Sequence, residues 1–185
     1  SNSKKFLYDT IDGRDIFLPV NVSKNISLLS IGAINPSPAF NNTDFIYPEG
    51  YSSSCLINGM EVNCTIRNKE NEPLFRVFNP RKRMKMSASG KTPEEAWYNF
   101  FINVMEIKPY SFDLWRVPGH EFFGLCFPLT KRLIQALPNA RECPFYKPRA
   151  FRIPLKEIEF LVVSPGNKFL LGPESEQKQP NDAST

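Results

Sequence analysis

Prolines limit the length of the secondary-structure elements that this chain can form. The 185 residues include 17 Pro, spread along the sequence. Proline fixes φ and lacks an amide hydrogen, so it interrupts helices and central strands. We therefore expect many turns and few long elements. Because the chain also has 16 Phe against 2 Trp, we expect a core built mainly of phenylalanine, which has no polar atom to satisfy.

The strongest local pattern is a hairpin around Asn58-Gly59. This dipeptide suits a type I′ turn, which needs positive φ at both central positions. Residues 60–66 alternate apolar and polar, as expected for a half-buried strand, and residues 55–57 form the other arm. Further strands are predicted at residues 28–31, 74–78, 121–127 and 158–163.

Two helices are predicted. Thr92, Pro93 and Glu95 have the spacing of a capping box with proline at the first helical position. An apolar stripe at helical spacing follows and is expected to face the core: Ala96, Trp97, Phe100, Phe101 and Val104. Pro109 is expected to end this helix, and a second is predicted at 128–137. The sequence predicts strands in its first part and a mixture of helices and strands later. This order indicates one compact α+β domain with a largely antiparallel sheet.

No catalytic, cofactor or metal site is expected from the sequence. The four cysteines lack Cys-x-x-Cys spacing and there is one histidine, so a zinc site is not expected. His120 and Cys126 could form a nucleophile pair, but no orienting partner is evident. No phosphate-binding glycine-rich loop occurs. Free buried thiols are therefore the preferred interpretation of the cysteines, Cys55, Cys64, Cys126 and Cys143.

An extracellular glycoprotein with two disulfides remains an alternative. Four sequences fit the N-glycosylation pattern, a mild excess over chance, at Asn21, Asn25, Asn41 and Asn63. Against this, residues 1–15 are polar and mixed in charge, so no signal peptide is expected. No apolar run of about 18 residues occurs, so neither a membrane span nor a membrane partner is expected.

A basic run lies between the last early strand and the first helix. Its cations are Arg81, Lys82, Arg83 and Lys85, in a chain with net charge +4. The run could contact DNA phosphates, acidic protein segments or an import receptor. A solvated loop is the preferred interpretation, because four charges are few for useful nucleic-acid affinity.

Several stretches in order resemble the FYRN–FYRC family, a pair of Phe/Tyr-rich motifs found in chromatin-associated proteins. Pro-Ala-Phe at 38–40 and Tyr-Pro-Glu-Gly-Tyr at 47–51 resemble FYRN. Gly-Lys-Thr-Pro at 90–93 and Phe-Gly-Leu at 123–125 resemble FYRC. The residues that carry the resemblance are Gly32, Phe40, Tyr47, Pro48, Gly50, Tyr51, Gly90, Thr92, Pro93, Trp97, Phe123, Gly124 and Leu125.

The resemblance implies one module to which both halves contribute strands of a single antiparallel sheet. FYRN would occupy about 16–80 and FYRC about 89–165, after an N-terminal arm at 1–15 and before a disordered tail at 174–185. The family usually has an arginine soon after the Gly-Tyr turn, where this chain has three serines.

The function implied is non-catalytic scaffolding in a nuclear regulator of chromatin or transcription. Its partners would be proteins of a histone-modification complex, with chemistry in other domains and no small-molecule substrate. A nucleic-acid-binding domain using the basic run is the alternative.

Two aromatic stretches could bind a partner or simply pack. We expect Tyr47, Pro48, Gly50 and Tyr51 to form a tight turn held by aromatic packing, rather than a ligand platform. The stretch 122–124 is expected to be buried in a sheet, with its glycine allowing close backbone approach.

Overall fold

An antiparallel sheet of six strands is the centre of the fold. The computed structural model describes residues 6–11, 13–82, 85–109 and 116–153. The predicted strand at 158–163 and the predicted tail lie outside the described residues. The predicted α+β class with a largely antiparallel sheet is confirmed.

The strands follow one another in the sheet in sequence order. A separate two-stranded hairpin precedes the sheet and is made of β1 (Phe6–Ile11) and β2 (Arg14–Leu18). The six strands of the main sheet are β3 (Val20–Ser23), β4 (Ile26–Ser30), β5 (Ser52–Ile57), β6 (Met60–Lys69), β7 (Glu72–Phe78) and β8 (Ser87–Gly90). Each strand lies beside the strands that precede and follow it in the sequence, and every adjacent pair is antiparallel.

Tight turns connect the three longest strands of the main sheet. Asn58 and Gly59 have φ of 47° and 77° between β5 and β6, which confirms the predicted hairpin. Glu70 and Asn71 have φ of 53° and 64° between β6 and β7. Positive φ at both central positions matches the right-handed twist of the flanking strands, so these turns fix the register.

Three helices accompany the sheet: α1 (Pro93–Asn103), α2 (Gly119–Phe122) and α3 (Pro128–Gln135). The predicted cap of α1 is present, since Thr92 Oγ1 accepts a hydrogen bond from the Glu95 amide at 3.1 Å. The helix ends at Asn103, earlier than the proline expected to stop it. The predicted second helix is confirmed as α3. The helices in the described part of the chain all fall short of the length and apolarity that a bilayer crossing requires.

The strand predicted at 121–127 is wrong. The segment forms the end of α2 followed by turns, and so the stretch 122–124 is not part of a sheet. The amides of Phe122 and Phe123 donate to the carbonyls of Pro118 and Gly119, both at 2.9 Å. Gly124 then adopts φ of +81°, which ends the helical turn. An apolar run interrupted by a glycine does not distinguish a strand from a short buried turn.

The two faces of the sheet differ in character. Cross-strand pairs such as Cys55–Val62 and Phe75–Gly90 point toward the helices and are buried. Because side chains alternate along a strand, the pair Leu56–Glu61 lies on the opposite, outer face. The core therefore lies between the inner face and the helices, with residues from both ends of the chain.

Candidate functional site

Side chains from the early and late parts of the chain meet at a buried seam, which we define as Tyr47, Tyr51, His120, Phe123 and Gly124. The Tyr51 side chain is fully buried, and its hydroxyl donates to the Phe123 carbonyl at 2.6 Å. A Cβ on Gly124 would lie only 3.2 Å from that hydroxyl oxygen. The close approach predicted for Gly124 is therefore present, although it occurs outside a sheet.

Two glycines position the Tyr47–Tyr51 turn. Gly32 has φ of +76°, and a Cβ there would lie 2.3 Å from the Glu49 carbonyl oxygen. The amides of Ala33 and Glu49 donate to each other's carbonyls at 2.9 and 2.8 Å, which holds the two segments together. Gly50 has φ of +81° directly opposite Gly32. Backbone contact at this crossing leaves no room for a side chain at Gly32, whereas Gly50 is favoured by its positive φ.

Aromatic rings join the sheet to the seam. Phe75 on β7 makes edge contacts with Tyr47 and Phe123, with ring centroids 5.0 and 5.6 Å apart. Such edge-to-face pairs add to the stabilisation from buried area. Pro48 is buried, and its carbonyl accepts from the Tyr51 amide at 3.3 Å. These residues form a tight turn held by aromatic packing.

A chain of hydrogen bonds crosses the seam. Asn42 Nδ2 donates to the Tyr47 hydroxyl oxygen at 3.0 Å, and that hydroxyl is hydrogen-bonded to His120 Nε2 at 2.7 Å. His120 Nδ1 then carries the proton that is donated to Glu94 Oε1 at 2.5 Å. Each ring nitrogen of His120 therefore has a hydrogen-bond partner. The ring of Phe45 covers His120, with centroids 4.2 Å apart.

The surroundings shift the pKa of two residues of this hydrogen-bond chain, Tyr47 and Glu94. Burial raises the pKa of Tyr47 well above its usual range, so its hydroxyl stays protonated. Burial also acts to raise the pKa of Glu94, but hydrogen bonds and charge attraction from His120, with backbone amides, outweigh it. The pKa of Glu94 is therefore lower than usual. Glu94 is ionised at neutral pH and orients the His120 ring.

The remaining residues that carry the family resemblance also lie in or beside the core. Trp97 is fully buried and packs against Phe122, with centroids 5.0 Å apart. Phe40 and Leu125 are buried as well. A Cβ on Gly90 would lie 2.5 Å from the Ala96 amide nitrogen, because α1 sits directly on β8. Packing of α1 on β8 therefore brings Gly90 and Trp97 into the core.

A second line of contact joins residues 41–45 to residues 145–149. Asn41 Oδ1 accepts from the Phe145 amide at 2.9 Å, and the Lys147 amide donates to the Thr43 carbonyl at 3.2 Å. Arg149 forms an ion pair with Asp44 at 2.5 Å. The early and late halves therefore form one body with a shared core.

The thiols and the histidine lack the arrangement of a nucleophile. Both ring nitrogens of His120 are occupied by Tyr47 and Glu94. Burial raises the pKa of Cys55 to about 12, so its thiolate is disfavoured. Three cysteines are free and buried as predicted, whereas Cys126 is free but exposed. Across the described residues, no cluster of His, Cys, Asp or Glu is arranged to hold a metal ion.

Two of the four N-glycosylation sequences are inaccessible. Asn21 is buried and its Oδ1 accepts from the Ser27 hydroxyl at 2.7 Å. Asn41 is buried, and its Nδ2 donates to the Ser37 carbonyl at 3.0 Å. A glycan needs an exposed amide nitrogen, so neither asparagine can be modified in this fold.

Backbone hydrogen bonds bring together the described residues on either side of the basic run, which we call the closed basic loop. The Asn79 amide donates to the Met86 carbonyl at 2.9 Å, and the Lys85 amide to that of Lys82 at 2.9 Å. The side chains of Arg81, Lys82 and Lys85 are exposed, and Arg83 lies outside the described residues. The loop therefore presents its described cations to solvent.

Sequence reasoning missed the polar chain. His120 was considered only as half of a nucleophile pair, and Glu94 was not singled out. The Tyr47–His120 contact joins residues 73 positions apart. No local pattern encodes a contact at such a distance.

Two family models match the chain. FYRN, the F/Y-rich N-terminus, matches residues 18–56, and FYRC, the F/Y rich C-terminus, matches residues 72–151. Together they cover well over half of the chain. The Tyr47–Tyr51 turn lies in the first match, whereas His120, Phe123 and Gly124 lie in the second.

Curated relatives resemble most of this chain. Histone-lysine N-methyltransferase TRX1 of Oryza sativa subsp. japonica is 28% identical over 151 residues, 71% of this chain and 14% of that protein. Transforming growth factor beta regulator 1 of Homo sapiens is 25% identical over 84% of this chain and 37% of its own length. Histone-lysine N-methyltransferase trr of Drosophila melanogaster is 24% identical over 83% of this chain and 7% of its own length.

The chain thus spans much less than two thirds of each of these relatives. Both motif models match in the order FYRN then FYRC, and the structure joins the two matched segments in one sheet and one core. The chain belongs to the FYRN–FYRC family.

Proposed function

We propose that this domain is a non-catalytic protein-interaction module of a nuclear regulator of chromatin or transcription. The observation that carries the proposal is the buried seam, in which both motif halves use their tyrosines and phenylalanines on each other. The Tyr51 hydroxyl on the Phe123 carbonyl and the Phe75 ring between Tyr47 and Phe123 exemplify this use. With the aromatic residues of the seam occupied internally, recognition falls to the outer surface.

The names of the relatives support the chromatin assignment. Two of them are histone-lysine N-methyltransferases, and this chain resembles only a small share of each. The raised pKa of the Cys55 thiol and the occupied ring of His120 support a role without chemistry of its own. Protein partners in a histone-modification complex would fit such a role.

Affinity capture from nuclear extract tests the proposal. The folded domain serves as bait, and bound proteins are identified by mass spectrometry. A Gly32→Val bait, in which the new side chain cannot fit against Glu49, controls for binding to unfolded chain. Enrichment of chromatin-associated proteins on the folded bait alone is expected. Recovery of none, with the folded state verified by circular dichroism, would contradict the proposal.

Nucleic-acid binding is the second candidate, and the exposed cations of the closed basic loop are the observation that favours it. Three neutralised phosphates would give a slope of log affinity against log salt of about −2.7 on duplex DNA. Fluorescence anisotropy with a labelled duplex at several salt concentrations measures this slope. A slope that is unchanged when Arg81, Lys82 and Lys85 become Ala would remove this candidate.

A further inference from the structure

Positive charge is concentrated in the last part of the chain that the structure describes. Residues 131–153 contain six Lys or Arg and one Glu, whereas the net charge of the whole chain is only +4. The other residues are therefore close to neutral in total. The structure places this stretch in α3 and in the segment after it, which runs along residues 41–45. A local excess of cations attracts a polyanion.

The segment after α3 is held extended by hydrogen bonds at every second residue. The amides of Phe145 and Lys147 both donate to residues 41–43. The amide of Arg149 donates to the Gln135 side chain at 3.0 Å, and its carbonyl accepts from the same side chain at 2.7 Å. Amides that point the same way two residues apart are typical of an extended chain, in which alternate side chains share a face. The side chains of Phe145, Lys147 and Arg149 therefore lie on one face.

That face is open to solvent. Phe145 is 55% exposed, the Arg149 side chain is 53% exposed, and Lys147 is exposed as well. Tyr146 has the opposite orientation, since it is buried and its hydroxyl donates to Gln135 at 2.7 Å. We define Phe145, Lys147 and Arg149 as the exposed strip. It presents an aromatic ring and two cations at intervals of about 6.6 Å, because an extended chain rises about 3.3 Å per residue.

A third cation and one carboxylate lie beside the exposed strip. Asp44 is the common partner, since its carbonyl accepts from Lys131 Nζ at 3.3 Å and its carboxylate pairs with Arg149 at 2.5 Å. Arg149 stays half-exposed in this ion pair, so it still has donors for a ligand. These contacts bring three cations and one carboxylate together, which leaves the surface positive.

We propose that the exposed strip binds single-stranded nucleic acid, with a base stacked on Phe145 and phosphates on Lys147 and Arg149. The interval between the two cations is close to the separation of successive phosphates in an extended single strand. A positive track combined with an aromatic ring is the usual chemistry of single-strand binding. This inference goes beyond the proposed function, because it assigns a second ligand to a surface separate from the closed basic loop.

The ring of Phe145 favours a single strand over other polyanions. Every base of a single strand has an open π-face for stacking. The bases of a duplex are stacked on one another, and an acidic peptide has carboxylates without a flat π-face. The closed basic loop, at residues 79–86, has cations but no aromatic residue. The loop therefore suits phosphate contacts alone, whereas the exposed strip suits a base and its phosphates.

Fluorescence anisotropy on the whole chain tests the proposal with a labelled oligo(dT) of about 12 nucleotides. Phe145→Ala is expected to weaken binding about tenfold and to leave the slope of log affinity against log salt unchanged. Replacing both Lys147 and Arg149 by Ala should make that slope shallower by about 1.4, because two phosphate contacts are lost. Phe145→Leu keeps apolar surface without the π-face and should weaken binding nearly as much as Phe145→Ala.

Asp44→Asn gives an outcome that impaired folding cannot produce. Removing the carboxylate that pairs with Arg149 is expected to strengthen oligo(dT) binding about threefold, since the carboxylate competes with phosphate for the guanidinium. Weaker binding by Asp44→Asn would contradict the proposal. An oligo(U) of the same length identifies the kind of strand, because tighter binding of oligo(U) would indicate a contact with its 2′-hydroxyl groups.

The controls place the ligand on the exposed strip. Lys69→Ala removes an exposed cation of β6 outside the strip and should leave binding unchanged. Replacing Arg81, Lys82 and Lys85 by Ala should also leave it unchanged. The proposal is overturned if this loop variant loses as much affinity as the strip variants, if Phe145→Leu binds like the wild type, or if duplex DNA or polyglutamate displaces the probe better than unlabelled oligo(dT).

The test is separate from that of the proposed function. Capture from nuclease-treated nuclear extract detects protein contacts alone. If chromatin-associated proteins are captured but no oligonucleotide binds, the strip proposal is wrong and the interaction role stands. If oligo(dT) binds as expected but the treated extract yields no chromatin-associated partner, the strip proposal stands and the interaction role is wrong.

Discussion

The seam and the basic loop use charged and aromatic residues in opposite ways. In the seam, Tyr51 is fully buried, and successive hydrogen bonds link Asn42, Tyr47, His120 and Glu94. In the loop, the backbone is hydrogen-bonded while the cationic side chains project into solvent. The buried residues of the seam specify one fold, whereas the exposed cations of the loop are available to contact a partner. The difference predicts which substitutions affect folding and which affect binding.

The largest effect is expected at the backbone crossing that supports the seam. Gly32→Ala places a Cβ against Glu49 at positive φ and should cost more than about 3 kcal/mol in free energy of unfolding. Gly59→Ala, at positive φ but with open space around it, should cost about 1 kcal/mol. Urea denaturation measures both. Equal losses would mean that the crossing is not tightly packed.

Tyr51→Phe should have the next largest effect. It leaves the Phe123 carbonyl without the hydroxyl that donates to it at 2.6 Å, which should cost about 2 kcal/mol. Tyr146→Phe is the control, because Gln135 Oε1 keeps its hydrogen bond from the Arg149 amide when the Tyr146 hydroxyl is removed. Its cost should be under about 1 kcal/mol. Thermal unfolding compares the two, and a greater loss for Tyr146→Phe would contradict the assigned role of the seam.

Acid should weaken the seam through Glu94. Since its pKa is lower in the folded state than in the unfolded chain, its contribution is present above the unfolded pKa and is lost as pH falls through the folded pKa. Glu94→Gln should therefore reduce the free energy of unfolding by about 1 kcal/mol at neutral pH, a value discounted for partial exposure.

The measurement is chemical denaturation of wild type and Glu94→Gln over a range of acidic pH. The two stabilities should converge as the carboxyl becomes protonated. Adding His120→Phe completes a double-mutant cycle, in which the coupling energy should vanish at the acidic end. Parallel pH profiles for wild type and Glu94→Gln would rule out this electrostatic role.

The smallest effect on stability is expected in the loop. Replacing Arg81, Lys82 and Lys85 by Ala should change the free energy of unfolding by less than about 0.5 kcal/mol, because these side chains are exposed. Urea denaturation of this variant beside Lys69→Ala measures the change. A loss similar to that of Tyr51→Phe would show that the loop is structural and would remove the contrast with the seam.

Elements governed by neighbouring residues were predictable from the sequence. The Asn58-Gly59 hairpin and the capped start of α1 each depend on a few adjacent residues whose backbone preferences are strong. The resemblance to the FYRN–FYRC family was also confirmed, because order and spacing of several motifs are read directly from the chain.

Other elements depend on tertiary context. Strand β8 was missed because Ser87–Gly90 has no β-branched or aromatic residue. It pairs with β7 along one edge, and α1 packs directly on it. The segment at 121–127 was assigned to a strand because its aromatic composition favours one, whereas burial against Phe75 and Trp97 stabilises a helical turn. The site was partly predictable. Proline and glycine mark the Tyr47–Tyr51 turn in the sequence, whereas no local pattern marks the contact between Tyr47 and His120.

The sequential strand order has a consequence for the length of the chain between the two halves. At the exposed turn of Glu70 and Asn71, the connection between β6 and β7 crosses no other element. Extra residues inserted there would add only loop-closure entropy, about 0.6 kcal/mol for each doubling of loop length. The pairing of β6 with β7 would keep its register, so the spacing of the halves along a polypeptide is free to vary while the assembled body stays the same.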